Sequence, residues 1–95
     1  MAIELNLEMT LSRGEFLRML PAAVGMAAIR EEGNTFAGGD GQKSWTLALV
    51  PLASRRLGSM VLPCHRVEIR LEGYSEAAAE AFMARFLRGF QRGGG

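Results

Sequence analysis

Apolar and polar side chains alternate without interruption in AIELNLEMTL, residues 2–11. A period of two is typical of a β-strand that has one face on a core and the other in water. Its inward row contains Ile3, Leu5, Leu7, Met9 and Leu11. Its outward row contains Glu4, Asn6, Glu8 and Thr10. The sequence therefore predicts a sheet with one face covered and one face open.

The stretch RVEIRLE, residues 66–72, alternates in the same way. Its outward row is Arg66, Glu68, Arg70 and Glu72. If this strand pairs with the first one, glutamates and arginines meet across the ladder, and each good pair stabilises the sheet by about 0.2–1 kcal/mol. The charge pattern therefore predicts that the first and last strands are neighbours.

An N-terminal helix is predicted to begin after Ser12, because Ser12 and Glu15 have the spacing of a capping box. Pro21 lacks the amide that would continue the helix. We therefore expect a broken helix, in which residues 21–25 form a second short turn that ends at Gly25.

The central residues, 26–73, are predicted to form β-structure with tight connections. Gly33-Asn34 and Asp40-Gly41 are turn dipeptides. Pro51 is expected to end one strand, and Pro63 is expected to stop a short strand before the last one begins. This region therefore contributes three to five antiparallel strands.

The C-terminal residues, 73–95, predict a long helix capped by Ser75. Glutamates lie near its start and arginines near its end, an order that suits the helix dipole. At 100° per residue, one apolar stripe contains Ala79, Phe82, Met83, Phe86, Leu87 and Phe90. Arg85, Arg88 and Arg92 lie on the opposite side.

These elements predict one α+β domain over residues 1–92, followed by a flexible glycine tail at 93–95. The fold is expected to have two layers, an antiparallel β-meander sheet with the broken N-terminal helix and the long C-terminal helix packed on one face. The order β-α-β(3–5)-α resembles a shortened helix-grip arrangement of the START or Bet v 1 kind. That resemblance implies that the space between the sheet and the C-terminal helix could hold an apolar ligand.

The totals argue against a membrane protein and against a disulfide-stabilised one. The chain has 95 residues, is 48% hydrophobic and carries a net charge of +1, which by itself does not indicate a nucleic-acid partner. Its longest run without a polar side chain, residues 19–29, falls well short of the roughly 20 residues that cross a bilayer. Its single cysteine cannot form an intrachain disulfide. We expect a cytoplasmic protein without a membrane partner.

The only cysteine and the only histidine are adjacent, as Cys64 and His65. In a strand, neighbouring side chains leave on opposite faces, so the two cannot act as a nucleophile and its base. Two ligands are also too few for a metal site, which needs three or four. Glu4 and Glu8 lie about 13 Å apart along a strand, too far for a pair of catalytic carboxylates. We therefore predict no catalytic residues, no metal and no cofactor.

Two other sets of residues are candidate binding sites. A pocket between the sheet and the C-terminal helix would be lined by Trp45, Met60, Phe82, Met83, Phe86 and Phe90. Filling of the core is the favoured interpretation of these residues, because a small domain can spare little packing volume. The row Arg85, Arg88 and Arg92 could contact an anion, an acidic partner or a phosphate backbone, although a solvated helix face explains it as well.

We predict a small non-enzymatic binding or assembly module that forms a homodimer, because an open polar sheet face and free strand edges favour self-association. A further protein partner is compatible with this prediction. A binder of small apolar ligands is the second hypothesis. The third is a weak contact with an anion or nucleic acid through the arginine row.

Overall fold

Five strands and two helices form the part of the chain that the computed structural model describes, residues 2–25, 29–39 and 41–90. In chain order they are β1 (Ala2–Met9), α1 (Arg13–Val24), β2 (Arg30–Glu32), β3 (Thr35–Gly39), β4 (Ser44–Leu57), β5 (Met60–Glu72) and α2 (Glu76–Gly89). All strand pairs are antiparallel, and their order across the sheet is β1-β5-β4-β3-β2. The predicted two-layer α+β architecture is confirmed, while the helix-grip resemblance stays a prediction.

The first strand lies beside the last one, as the charge pattern predicts. Glu4 is opposite Arg70, and Glu8 is opposite Arg66. The Glu4 carboxylate lies 3.5 Å from the Arg70 guanidinium. Both side chains are exposed, so this ion pair adds little to stability by itself, and its main effect is on the choice of register.

The helix α1 begins as predicted but is not broken at Pro21. Ser12 and Glu15 form both hydrogen bonds of a capping box. Gly25 ends the helix in the left-handed conformation, with φ at 86°, and donates its N–H to the carbonyl of Pro21. Pro21 removes only one backbone hydrogen bond, and burial of Leu20 and Ala23 on the same turn holds the helix together. The predicted interruption is therefore wrong.

The hairpin of β4 and β5 is longer than the prolines predict. Pro51 and Pro63 lie inside β4 and β5, instead of ending a strand there. Both residues lie on stretches where the strand has no neighbour on its outer side, which is where sheets tolerate proline. The short strand that the sequence predicts at residues 56–62 is wrong, because it contains the turn at Gly58-Ser59. Arg56 and Leu57 belong to β4, and residues 60–62 continue through Pro63 as β5.

The core lies between the helices and one face of the sheet. The buried residues there are Leu11, Phe16, Leu20, Ala23, Phe36, Trp45, Leu47, Leu49, Val67, Ile69, Leu71, Ala79 and Phe86. Phe16 stacks on Phe90 with ring centroids 5.1 Å apart, which ties the start of α1 to the end of α2. Leu87, predicted to face this core, is instead 50% exposed.

Several predictions fall on other parts of the chain. The turn at Gly33-Asn34 is confirmed between β2 and β3. Residues 26–28, Asp40, Arg92 and the glycine tail lie outside the described residues.

The two helices cross closely at Gly89, the last residue of α2. A Cβ placed on Gly89 would lie 2.5 Å from the Cα of Ala23 in α1. Because backbone atoms cannot move aside as a flexible side chain does, any larger residue there separates the two helices.

We expect Gly89→Ala to lower the free energy of unfolding by about 1–3 kcal/mol, because the added methyl overpacks the helix crossing. Gly14→Ala is the matched control. A Cβ on Gly14 comes no closer than 3.9 Å to another group, and alanine favours a helix by roughly 0.5–1 kcal/mol. Urea unfolding followed by circular dichroism measures both. Equal stability of the two variants would contradict the close crossing.

Candidate interaction surface

The β4–β5 hairpin extends beyond both of the strands that flank it. β1 pairs with β5 as far as His65, and β3 pairs with β4 as far as Ala48. Residues 52–64, which we call the arm, pair only with each other among the described strands. At about 3.3 Å per residue the arm is roughly 20 Å long. The chain accordingly measures 47 × 29 × 22 Å.

A bulge at the base of the arm explains how it accommodates proline. Leu52 pairs with Cys64 and Arg55 with Leu62, so two residues of β4 lie opposite Pro63 alone. The bulge therefore falls where β5 has no backbone N–H to donate. Beyond it, pairing continues to Leu57 and Met60.

The tip of the arm exposes three large apolar side chains. Leu57 is 57% exposed, Met60 is 59% exposed and Val61 is 58% exposed. Among the described residues, the only other large hydrophobic side chain in this class is Leu87, on α2. Since water around exposed apolar surface is unfavourable, these three side chains form a candidate contact surface.

The register assigns these side chains to two faces of the arm. Directly paired residues lie on the same face of a sheet, and successive residues alternate. The face of the sheet away from the helices, which we call the open face, therefore continues along the arm as Leu52, Arg55, Leu57, Met60, Leu62 and Cys64. Arg56 and Val61 lie on the opposite face.

The open face of the main sheet is polar. We call the part of it on β1, β5 and β4 the floor, and it consists of Ala2, Glu4, Asn6, Glu8, Ser44, Thr46, Ala48, Val50, Arg66, Glu68, Arg70 and Glu72. Its four glutamates and two arginines give a net charge of −2. Arg66 bonds Glu68 at 3.1 Å, and Arg70 lies 3.4 Å from Glu72. The arm carries only Arg55 and Arg56 as charged residues, so the two surfaces have opposite charge.

A shallow depression of about 330 Å³ lies in the floor. It is lined by Glu4, Asn6, Thr46, Ala48, Glu68, Ile69 and Arg70. Small side chains from β4 form one side, and the longer side chains of β5 and β1 form the other. The depression is therefore mainly polar, with the methyl groups of Thr46 and Ala48 along one side.

The predicted apolar pocket is only partly assembled. Trp45 and Phe86 are buried in the core, and three further predicted residues pack against it, namely Phe82, Met83 and Phe90. Met60 is not with them, because it lies at the tip of the arm. Ligand binding by the other five stays a prediction.

Two members of the predicted arginine row, Arg85 and Arg88, are exposed on α2. Contact of this row with an anion or a partner stays a prediction. The Arg85 guanidinium lies against Gly25 at the end of α1, 3.0 Å from where a Cβ of that residue would be. A cation beside the carboxyl end of a helix stabilises it through the helix dipole, so Arg85 has a structural role.

Cys64 and His65 leave β5 on opposite faces, as the sequence predicts. Nδ1 of His65 lies 2.8 Å from the carbonyl oxygen of Leu11, and because a carbonyl only accepts, Nδ1 donates this bond. The Cys64 sulfur lies 4.0 Å from the hydroxyl of Thr10. His65 therefore ties the base of the arm to the junction of β1 and α1. Within the described residues, no three histidine, cysteine or acidic side chains converge as metal ligands.

Comparison of the chain with known protein families, with curated proteins and with solved structures found no match. Of the described helices, none is long and apolar enough to span a membrane.

The arm is the feature that sequence reasoning misses. A signal for it exists, because Gly58-Ser59 between two apolar runs is a two-residue hairpin loop, and Gly58 has a φ of 60°. The prolines on either side conceal this signal.

We expect the main sheet and both helices to fold without the arm, since none of the buried core residues belongs to it. In the variant that tests this, Asn-Gly replaces residues 52–64, so that a two-residue turn joins Pro51 to His65. The variant should unfold in one cooperative transition, as followed by circular dichroism during heating. Loss of the transition would show that the arm contributes to the core.

Proposed function

We propose that this chain is a small, non-enzymatic assembly module that acts as a homodimer, with the arm as its main contact. The exposure of Leu57 and Met60 on a hairpin that adds nothing to the core carries this proposal. Burial of a large aliphatic side chain contributes roughly 1.5–3 kcal/mol, which the monomer forgoes at these positions. A partner surface recovers that free energy.

Three features favour a second copy of the chain as the partner. The arm is roughly 20 Å long, and the floor strands from Ser44 to Val50 have about the same length. The arm is positively charged and the floor is negatively charged. Both surfaces lie on one continuous face, so a two-fold axis places each arm on the other copy's floor and closes the assembly at two.

The size of the surface leads to the same arrangement. A stable interface typically involves about 20–30 residues on each side. The arm alone, residues 52–64, is too small for this. The arm and the floor together approach the required size, so each copy contributes both surfaces.

We expect the full chain to sediment as a concentration-dependent dimer and the double variant Leu57→Ser, Met60→Ser to sediment as a monomer. The change removes the two most exposed apolar side chains of the open face of the arm without altering charge. Leu87→Ser is the matched control, because Leu87 is similarly exposed but lies on α2. This control should remain dimeric.

Sedimentation equilibrium over a wide concentration range distinguishes the outcomes. A wild-type chain that stays monomeric throughout would refute the proposed function. A dimer that Leu87→Ser disrupts, and that the arm variant leaves intact, would place the interface on the helices. Native mass spectrometry of the purified chain tests the other two hypotheses at the same time, through a bound small molecule or nucleic acid.

A further inference from the structure

We infer that the two copies stack open face to open face about a two-fold axis at the level of Pro51 and His65, so that the arm of each copy fills the depression in the floor of the other. This inference rests on the proposed homodimer and specifies its geometry. It is carried by a match between the positions of the arm's side chains and those of the depression.

The match follows from counting rows along β5, where a row is one residue of β5 together with its paired residue on β4. The axis lies between the two sheets, parallel to both, and runs perpendicular to the strands. It reverses the strand direction and keeps β4 over β4, so a row beyond the axis covers the row equally far before it on the partner. The pair Arg55–Leu62 lies three rows beyond His65, and the pair Ala48–Glu68 lies three rows before it. Arg55 therefore lies over the partner's Ala48, and the partner's Glu68, on the neighbouring strand about 4.8 Å away, is within reach of its long side chain.

The next rows match in the same way. Leu57–Met60 lies five rows beyond His65, and Thr46–Arg70 lies five rows before it. All four of the facing residues, Thr46, Ala48, Glu68 and Arg70, line the depression. The open-face side chains of the arm therefore lie over the depression in the partner's floor.

Charge selects this axis over its neighbours. Moving the axis one row toward the arm tip places the row of Arg55 over the row of the partner's Arg66, and moving it one row the other way places it over the row of the partner's Arg70. Like charges facing each other in an interface are strongly unfavourable. Of these three axes, the one at Pro51 and His65 places the row of Arg55 over a row that contains a glutamate.

The Glu68 carboxylate is available to a second arginine. Its oxygen Oε2 accepts from Arg66 at 3.1 Å, yet the side chain is still 44% exposed. An arginine that approaches from the partner can donate to the remaining oxygen. Around this contact, Leu57 and Met60 cover the methyl groups of the partner's Thr46 and Ala48 and the aliphatic stem of its Arg70.

Swapping the charges of Arg55 and Glu68 by mutation tests how the two copies are aligned. We expect Arg55→Glu to raise the dissociation constant of the dimer about tenfold or more, because it places two glutamates together. Arg56→Glu is the matched control. It makes the same charge change on the other face of the arm and should leave the constant within about threefold, a change smaller than the tenfold that 1.4 kcal/mol produces. The double variant Arg55→Glu, Glu68→Arg should recover most of the lost affinity.

The outcomes separate the geometry from the proposed function. A dimer that neither arginine variant weakens, or that both weaken equally, would overturn the geometry and leave the homodimer standing. A wild-type chain without any dimer would overturn both. If Glu68→Arg unfolds the chain, as judged by circular dichroism, the comparison of Arg55→Glu with Arg56→Glu still decides, because both residues lie outside the core.

Cross-linking at Cys64 tests the position of the axis. Cys64 lies on the open face one row from the axis, so the two thiols of a dimer lie two rows apart, about 7 Å along the strands, across sheets that pack about 10 Å apart. A short bismaleimide is attached to the thiol in dilute protein, and unlabelled protein is then added. We expect a covalent dimer from the wild-type chain and none when the added protein is Cys64→Ser. A dimer by sedimentation without this cross-link would place the axis elsewhere.

Discussion

The continuous pairing of β4 with β5 organises both the sheet and the core. It places β1 on one side and β3 on the other, and it supplies the inward row that both helices cover. β4 and β5 continue to pair from Leu52 to Cys64, beyond the last residues that pair with β1 or with β3. One hairpin therefore provides both the centre of the folded body and the element that projects from it.

The open face of this hairpin is polar in the body and mainly apolar in the arm. In the body, the open face is polar and its charges pair with one another, so exposure costs little. In the arm, the same face is mainly apolar and has nothing of its own chain above it among the described residues. The proposed dimer would bring together two surfaces of about equal length and opposite charge that lie on one face.

Local sequence patterns predict most of the strands and helices of the body. They fail where a strand's limits or a side chain's position depends on residues far away in the sequence. Alternation predicts β1 and the second half of β5, because burial of one face imposes a period of two. The effect of Pro51 depends on whether another strand lies outside β4 at that level, which is a non-local property. The sequence places Met60 in the pocket from its side-chain type alone, whereas its position at a hairpin tip follows only from the register. The candidate interaction surface cannot be predicted for the same reason, since it consists of the strand pairs that no other element covers.

Hydrogen exchange measured at low and high protein concentration tests whether the arm is an ordered strand pair that a second copy covers. We expect amides of residues 52–64 to exchange more slowly as the concentration rises, whereas those on the outer side of α2 do not change. Fast exchange in the arm at every concentration would refute this arrangement, as would protection that appears on α2 alone.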